Sequence, residues 1–373
     1  MRFHNLQLLR VAAAVGVVAF HLGVHGGILG TNSLDWLRTG PWAFFPVPVF
    51  FALSGFVLTH ALQSAPRGRF LFGRFLRLYP GYWLAILFGL AILRFAVWPP
   101  LQAAGARFST TAWLLAPLGA DKGFYVLGGV EWSLIYEVFL SLALTAFSLL
   151  GLRRGLPWGI ALWIAVLLTK TAFWPNFATA PFPHWSTIFL SAYSLPFLLG
   201  VMAYYLREVG RRWRWGVFAA TLGFAAFGAP KLGYSRELTW CAWGAIGALA
   251  VWFAVQVKQV RATHPLARLG DYTYGLYLVH VPVLLAVYYR AVLRRWEMPP
   301  EQVAALAGGL ALVVGFAFGK AESTLHGLLR PLAKWNPSRR AGSASDRSST
   351  ALQSLIRLRA PAHRDSGRSP DSP

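Results

Sequence analysis

The chain has one cysteine, Cys241, among its 373 residues, and only 13 acidic residues against 35 basic ones. A single cysteine excludes an intrachain disulfide and a cysteine-rich metal site. Charged residues make up 13% of the chain, about half the fraction found in soluble globular proteins. The composition therefore argues against a soluble protein.

Apolar residues are correspondingly abundant. They make up 56% of the chain, which includes 17 Trp and 27 Phe, and the mean hydropathy is +0.49. The net charge of +22 could suggest nucleic-acid binding, but the basic residues are spread through short segments between apolar runs. Charge in such loops sets the orientation of membrane helices. We therefore expect an all-α, polytopic membrane protein with no nucleic-acid partner.

Apolar runs of about 17 to 22 residues, the length that crosses a bilayer, predict about ten spans. They lie near 10–29, 45–62, 80–98, 128–150, 157–174, 187–206, 214–229, 238–256, 272–292 and 301–320. The first run lacks a small-residue cleavage site, so it is interpreted as an anchor helix and not a signal peptide.

Alternate loops between these spans are basic, which predicts that they are cytoplasmic. Their basic residues are Arg67, Arg69, Arg74, Arg77, Arg153, Arg154, Arg207, Arg211, Arg212, Arg214, Lys258, Arg261 and Arg268. With an even number of spans, both termini then lie in the cytoplasm. Residues 336–373, which begin "NPSRRAGSASDRSST", contain little to bury and are predicted to form a disordered basic tail after a membrane domain at 4–330.

The first span carries two polar side chains in "RVAAAVGVVAFH", Arg10 and His21. Eleven residues separate them, which places them on one helix face about 16 Å apart along the axis. With Arg10 at the cytoplasmic boundary, His21 lies near the middle of the membrane. An ionisable residue at that depth indicates a functional site, although a neutral histidine bonded to a neighbouring helix is the structural alternative. The unperturbed pKa of histidine, about 6.5, suits proton transfer.

His25 follows His21 by one helical turn, a spacing that is also found in pairs of metal ligands. The glutamate that usually accompanies such a pair is missing, and no third ligand is evident. We therefore predict no metal at this position.

The segment "GRFLRLYPGYW" holds Arg74 and Arg77, neighbours on a helix surface at the predicted cytoplasmic side. Topology charge alone would explain either residue. Together with Arg10, however, they supply three guanidinium groups, whose fork geometry suits phosphate. This set predicts a site for a phosphorylated cytoplasmic molecule.

Glu137, in "GGVEWSLIYEVFL", lies about two turns into the predicted fourth span, where an unpaired carboxylate costs roughly 2.5 to 3.5 kcal/mol. It therefore needs a partner or a hydrated cavity. Glu131 is expected to be solvated at the outer rim, and Glu322 to end the last helix as an interfacial charge. His280 is expected to be a packed residue or one that lines a polar cavity. The Ser54–Gly55 pair indicates close helix packing.

These segments together resemble the membrane-bound acyltransferase-3 family. The opening "NLQLLRVAAAVGVVAFH" is similar to the first-helix pattern of that family, a basic residue, ten intervening residues and a histidine. "FFALSGFVLTH", "GRFLRLYP", "EWSLIYEVFL" and "LGDYTYGLYLVHVPV" follow in the order of the family, over about residues 4 to 330. The opening is most similar to the branch that acetylates exopolysaccharides, while "GKAESTLHG", around Glu322, fits the acidic position of the last helix only loosely.

The resemblance implies transfer of an acyl group, commonly acetyl, from cytoplasmic acyl-CoA to a hydroxyl of a carbohydrate or a lipid-linked glycan. It implies a catalytic role for His21 and functional roles for Arg10, Arg74 and Arg77, in the inner (plasma) membrane of a bacterium. Glu137 is assigned a supporting catalytic role, to orient an imidazole or line the path of the acceptor. No metal is implied, and no extracytoplasmic esterase-like domain is visible in the sequence.

A glycan transporter or flippase is the alternative from another functional class, because it too would place ionisable residues in spans and hydrated cavities. A pure transporter should neither hydrolyse acyl-CoA nor exchange its acyl group.

Overall fold

A computed structural model describes residues 3–334, apart from 41–42, 44, 65–66, 97–107, 151, 175–176 and 226–235. The predicted tail at 336–373 lies outside the described residues. The packing discussed below belongs to one compact unit, Met1–Arg330.

The described residues form helices joined by short connections, and they contain no strand beyond two isolated bridges. The helices are α1 His4–Val24, α2 Trp36–Thr39, α3 Pro46–Ser64, α4 Arg67–Ala96, α5 Thr110–Leu114, α6 Glu131–Leu149, α7 Leu156–Phe173, α8 Leu195–Tyr205, α9 Arg214–Gly223, α10 Arg236–Gln256, α11 Pro265–Leu269, α12 Thr273–Leu293 and α13 Pro300–Lys334. The all-α fold class is therefore confirmed.

Eight helices in the described part of the chain are long and apolar enough to cross a membrane, namely α1, α3, α4, α6, α7, α10, α12 and α13. The predicted sixth span corresponds to two 3₁₀ turns followed by the short α8, and the seventh to the ten-residue α9. The count of ten spans and the cytoplasmic position of both termini stay predictions.

The helix of the third predicted span, α4, begins earlier than predicted. It was expected to start near residue 80, but α4 starts at Arg67 and continues through Pro80. Proline cannot donate a backbone hydrogen bond, which leaves the carbonyl of Leu76 without its usual helical partner. Nδ1 of His326, from α13, lies 3.3 Å from that carbonyl oxygen. Such replacement partners allow proline inside membrane helices, and the long α4 carries Arg74 and Arg77 on regular helix.

The centre of the bundle is built around α3, which packs closely on α8 and α10, while α12 packs on α4 and α1 contacts both α3 and α12. A Cβ added at Gly55 would lie 2.0 Å from the carbonyl oxygen of Phe197, and one added at Gly200 would lie 2.0 Å from that of Ala52. The backbones of α3 and α8 therefore touch, as expected for small residues between membrane helices. The close packing predicted at Gly55 is confirmed.

Buried tyrosines bring polar atoms into this interior, and each one discussed here has a hydrogen-bond acceptor. The hydroxyls of Tyr82, Tyr136 and Tyr288 donate to the Ala112 carbonyl at 2.5 Å, the Ser191 hydroxyl at 2.8 Å and the Leu22 carbonyl at 3.1 Å. Buried tyrosine usually needs such a partner. The first two bonds connect a span to a segment between spans, and the third connects α12 to α1.

Candidate active site

Two cavities lie between the helices and have part of their lining in common. The first, the arginine cavity, has a volume of about 510 Å³, and its polar lining includes Arg10, Arg74, Arg77, Glu137, His326 and Arg330. The second, the histidine chamber, has a volume of about 150 Å³, and its lining includes His21, Trp132, Tyr193, Trp240, Ala43 and Pro181. Val47 and Tyr277 line both cavities. Tyr277 therefore lies on the wall that the two cavities share.

Arg74 and Glu137 form one of two ion pairs at the arginine cavity. Nη2 of Arg74 donates to Oε1 of Glu137, and the hydroxyl of Ser54 donates to the same oxygen at 3.3 Å. This joins α4, α6 and α3. Arg74 is therefore the partner that the depth of Glu137 requires. The ring of His21 contacts the Val17 carbonyl and His280 instead of Glu137.

Arg77 and Glu322 form the second pair. Nη1 of Arg77 donates to Oε1 of Glu322, and the guanidinium lies over the ring of Tyr274, 5.0 Å from its centroid. The side chain of Glu322 is 2% exposed and that of Arg77 is 22% exposed. The expectation that Glu322 ends the last helix as an interfacial charge is wrong, because α13 continues twelve residues beyond it to Lys334 and packs it against α4.

Arg10 lines the same cavity and has no carboxylate partner among the described residues. Its Nη1 lies 3.4 Å from Oε1 of Gln7, whose Nε2 donates to Asp271 at 2.7 Å. The buried Asn5 donates to the carbonyls of Ala254 at 3.0 Å and Lys258 at 3.1 Å. The "NLQ" opening thus attaches α1 to the end of α10 and to the turn before α12, which fixes the position of Arg10.

The histidine chamber is mainly aromatic. The ring centroids of Trp132, Tyr193 and Trp240 lie 4.7 to 5.8 Å from one another, in tilted or edge-to-face arrangements. Ala43 precedes α3 and Pro181 follows α7, so the chamber reaches the connections at the end of the bundle where α3 begins and α7 ends.

His21 lies on the wall of this chamber. Its Nδ1 is 2.9 Å from the carbonyl oxygen of Val17 and 3.2 Å from Nε2 of His280. His280 is fully buried, and its Nδ1 lies 2.8 Å from the carbonyl oxygen of Tyr277. The hydroxyl of Tyr277 lies 2.6 Å from that of Ser133. Of the two expectations for His280, the packed residue is the one that the structure shows, and its ring lies directly beside that of His21.

His25 stacks on His21, with ring centroids 6.0 Å apart and planes 21° apart. Burial lowers the pKa of His25, which favours its neutral form. Among the residues the structure describes, no group of three or more His, Cys, Asp or Glu side chains could hold a metal ion. The lack of a metal in the function of this protein stays a prediction.

Glu131 is not solvated, as was expected, but 1% exposed. Its Oε1 accepts the backbone N–H of Leu127 at 2.9 Å. The chain folds back over the start of α6 through Gly128 and Gly129, which have φ angles of +74° and +88°. A carboxylate at a helix N-terminus is also favoured by the helix dipole.

The structure brings Arg10, Arg74, Arg77 and Glu137 together in one cavity and places His21 in the adjoining one. Sequence reasoning missed Tyr274, Tyr277, Ser133, His326 and Arg330, which lie on the wall of the arginine cavity. For His326 and Arg330 a signal existed, since both lie on the face of the last helix that carries Glu322, at about four-residue spacing. Hydroxyl-bearing residues in apolar helices have no comparable signal.

Comparison with known proteins identifies the family of the chain. The family model of the acyltransferase domain called acyltransferase-3 matches residues 3–318, which includes the five side chains predicted to act in the site. Searches among curated proteins and solved structures find no match to the chain. The apolar helices and the matched domain make this an integral membrane protein. Because the family model covers most of its length, the chain belongs to the membrane-bound acyltransferase-3 family and is an acyltransferase.

Proposed function

We propose that this enzyme transfers an acyl group, acetyl in the simplest case, from cytoplasmic acyl-CoA to a hydroxyl of a carbohydrate or lipid-linked glycan. The observation that carries the proposal is that an arginine-lined cavity and a chamber lined by His21 share the wall formed by Val47 and Tyr277. We place the enzyme in the inner membrane of a bacterium and its acceptor in the synthesis of an exopolysaccharide or a related surface glycan.

The arginine cavity suits the donor. Four arginines and one glutamate line it, so the lining keeps a positive charge that matches the phosphates of CoA. Its volume of about 510 Å³ is within the range of about 300 to 1,000 Å³ that is usual for small-molecule sites. Arg10 and His21 are separated by about 16 Å of helix, a distance of the order of an extended pantetheine arm. The thioester would then lie near Tyr277.

The histidine chamber suits the acceptor. A cavity of about 150 Å³ accommodates roughly one six-membered ring, and aromatic side chains offer flat surfaces to the C–H faces of a sugar. The chamber also reaches the connections that hold Ala43 and Pro181, which the basic-loop pattern places outside the cytoplasm. Donor and acceptor would then approach His21 from opposite sides of the membrane.

His21 would serve one of two chemical routes. As a general base, its imidazole takes the proton of the acceptor hydroxyl while the oxygen attacks the thioester carbonyl; the C–S bond then breaks and the CoA thiolate receives that proton. As a nucleophile, Nε2 attacks the thioester carbonyl and the C–S bond breaks, which gives an acyl-histidine and the CoA thiolate; the acceptor hydroxyl then attacks the acyl carbon, the C–N bond breaks, and the hydroxyl proton goes to the thiolate. Acid quenching of enzyme mixed with radiolabelled acetyl-CoA separates the routes, because only the second leaves label on the protein.

The central test uses membranes that contain the enzyme and radiolabelled acetyl-CoA, with label in the glycan fraction as the readout. His21→Gln can form hydrogen bonds but cannot take up a proton at neutral pH, so it should lose transfer as completely as His21→Ala at normal abundance. His184→Gln, an exposed histidine outside the site, is the matched control and should transfer normally. Near-normal transfer by His21→Gln would remove His21 from the chemistry.

The donor site has its own test. Arg74→Lys and Arg77→Lys keep the charge but lose the two-pronged guanidinium geometry, so the acetyl-CoA Kd should rise about tenfold while insertion stays normal. Unchanged affinity in both variants would mean that these arginines act only in topology and packing. A wild-type protein that neither binds nor turns over acetyl-CoA would favour a glycan transporter instead.

A further inference from the structure

We propose that His280 is a positioning residue for the transfer reaction and holds His21 in the tautomer whose free lone pair is on Nε2. The assignment rests on the proposed acyl transfer, because it concerns the imidazole that would react there. It follows from four contacts of the ring nitrogens, one between the two histidines and three to backbone carbonyl oxygens.

The first step concerns the proton of His280. Its Nδ1 lies 2.8 Å from the carbonyl oxygen of Tyr277 and 3.2 Å from that of Leu276. Carbonyl oxygens only accept hydrogen bonds, so Nδ1 must carry the hydrogen. A neutral imidazole has one N–H and one acceptor nitrogen. Nε2 of His280 is therefore an acceptor, and it is this nitrogen that faces His21.

The second step concerns His21. Two acceptors lie near its Nδ1, the carbonyl oxygen of Val17 at 2.9 Å and Nε2 of His280 at 3.2 Å. With the hydrogen on Nδ1, both contacts are favourable. With the hydrogen on Nε2, a lone pair on Nδ1 would face two other lone pairs. The geometry therefore selects the form in which Nε2 of His21 is free to take a proton or to attack a carbonyl.

Other neighbours of His21 do not supply this constraint. His25 contacts His21 face to face, not through a ring nitrogen. The carbonyl of Val17 favours the same tautomer, but it belongs to the preceding turn of α1 itself, so it cannot hold the ring against a second helix. His280 comes from α12 and is fully buried, which fixes the ring of His21 from outside α1. Orientation by a buried acceptor on Nδ1 is also what the aspartate of a serine-hydrolase triad provides.

The pair also limits where a proton can go. When Nε2 of His21 takes a proton from the acceptor hydroxyl, the resulting cation has its Nδ1–H directed at Nε2 of His280. If that hydrogen moves across, His280 becomes the cation, and its Nδ1–H still faces the carbonyls of Tyr277 and Leu276. The chain of contacts ends at these carbonyls, so the proton stays within the pair until Nε2 of His21 gives it to the CoA thiolate.

Three substitutions at position 280 test the assignment in the full-length enzyme in membranes. The amide of a glutamine side chain can place an acceptor oxygen where Nε2 of histidine lies, whereas that of asparagine reaches only the position of Nδ1. His280→Gln should therefore keep at least a third of kcat for acetyl transfer, while His280→Asn and His280→Leu should lose tenfold or more. The KM for acetyl-CoA should stay within about twofold in all three, since the arginine cavity is unchanged.

The comparison of Gln with Asn separates positioning from packing, because both introduce a buried amide into the same space. Equal kcat values for these two variants, at equal abundance, would overturn the assignment, as would a loss that appears only in KM. A wild-type enzyme without acetyl-CoA turnover would instead contradict the proposed function, and the two failures are thus distinguishable.

Discussion

The pair formed by Arg77 and Glu322 allows structural and functional roles to be separated in one set of variants. Glu322→Gln replaces the carboxylate by a neutral amide of the same shape whose oxygen still accepts a hydrogen bond from Arg77. Arg77→Gln removes the cation and leaves the carboxylate of Glu322 inside the bundle. The double variant Arg77→Gln/Glu322→Gln removes both charges.

The expected magnitudes follow from burial. A hydrogen bond to a charged group contributes about 1.5 to 3 kcal/mol and a neutral one about 0.5 to 1.5, so Glu322→Gln should cost about 1 to 2 kcal/mol. Arg77, 22% exposed, retains the cavity and the ring of Tyr274. Glu322 is only 2% exposed, and an ion stranded at that depth costs about 3 to 5 kcal/mol. Arg77→Gln should therefore destabilise more than Glu322→Gln, and the double variant should be more stable than Arg77→Gln alone.

Thermal unfolding of the purified protein in detergent, followed by tryptophan fluorescence, gives the order of stability, and titration with acetyl-CoA gives affinity. Glu322→Gln leaves the guanidinium free to bind phosphate, so its affinity for acetyl-CoA should be equal to or higher than that of the wild type although its stability falls. Arg77→Gln should lower both the stability and the affinity for acetyl-CoA. A double variant less stable than Arg77→Gln would refute the pairing argument, and weaker acetyl-CoA binding by Glu322→Gln would refute the phosphate role of the freed arginine.

Three further predictions concern topology, packing and pH. In a Cys241→Ser background, an impermeant thiol reagent applied to intact cells should label Asn32→Cys and Ala180→Cys but not Arg154→Cys or Arg211→Cys; the reverse pattern would place Arg10 on the wrong side for CoA. Gly200→Ala should lower thermal stability by about 1 to 3 kcal/mol through overpacking, since its Cβ would meet the Ala52 carbonyl, whereas Gly216→Ala, in open space, should not destabilise. Burial lowers the pKa of His25 below 6.5, so the unfolded chain binds more protons than the folded one as the pH falls through that value. Acidification should therefore destabilise the wild type more than His25→Gln, by at most about 1.4 kcal/mol per pH unit. Parallel curves of stability against pH for the two proteins would contradict this.

The sequence predicts the helical class well because a span needs a long apolar run, and such runs are visible in composition alone. It predicts helix ends less well, since these depend on contacts between distant segments. Pro80 was expected to lie at the start of a span, but it lies inside α4, and His326, almost 250 positions away, contacts the carbonyl that this proline leaves free. The predicted sixth span shows the same limitation, because a run of apolar residues does not reveal that two 3₁₀ turns precede the short α8.

The site shows a similar division. Depth in an apolar run identifies His21 and Glu137 as residues that need an explanation, because a polar group costs free energy in hydrocarbon. Which partner supplies that explanation depends on how the helices pack. Glu137 was expected to orient an imidazole or to line the path of the acceptor, and the structure shows Arg74 as its ion-pair partner. The buried pair of Lys170 and Glu237, 2.6 Å apart, joins α7 to α10 without any signal in either segment alone.

These pairings explain why several charged residues can be retained inside one bundle. Arg74 and Arg77 lie on α4, but their carboxylate partners come from α6 and α13, so the two ion pairs form only when these three helices are in place. Each carboxylate offsets part of the cost of burying a guanidinium, and Arg10, which has Gln7 as its neighbour, leaves the cavity with uncompensated positive charge. An anionic donor would supply the missing countercharge. Binding of acyl-CoA should therefore stabilise the assembled bundle as well as begin the reaction, so ligand-induced gains in thermal stability should be smallest in variants that remove Arg10.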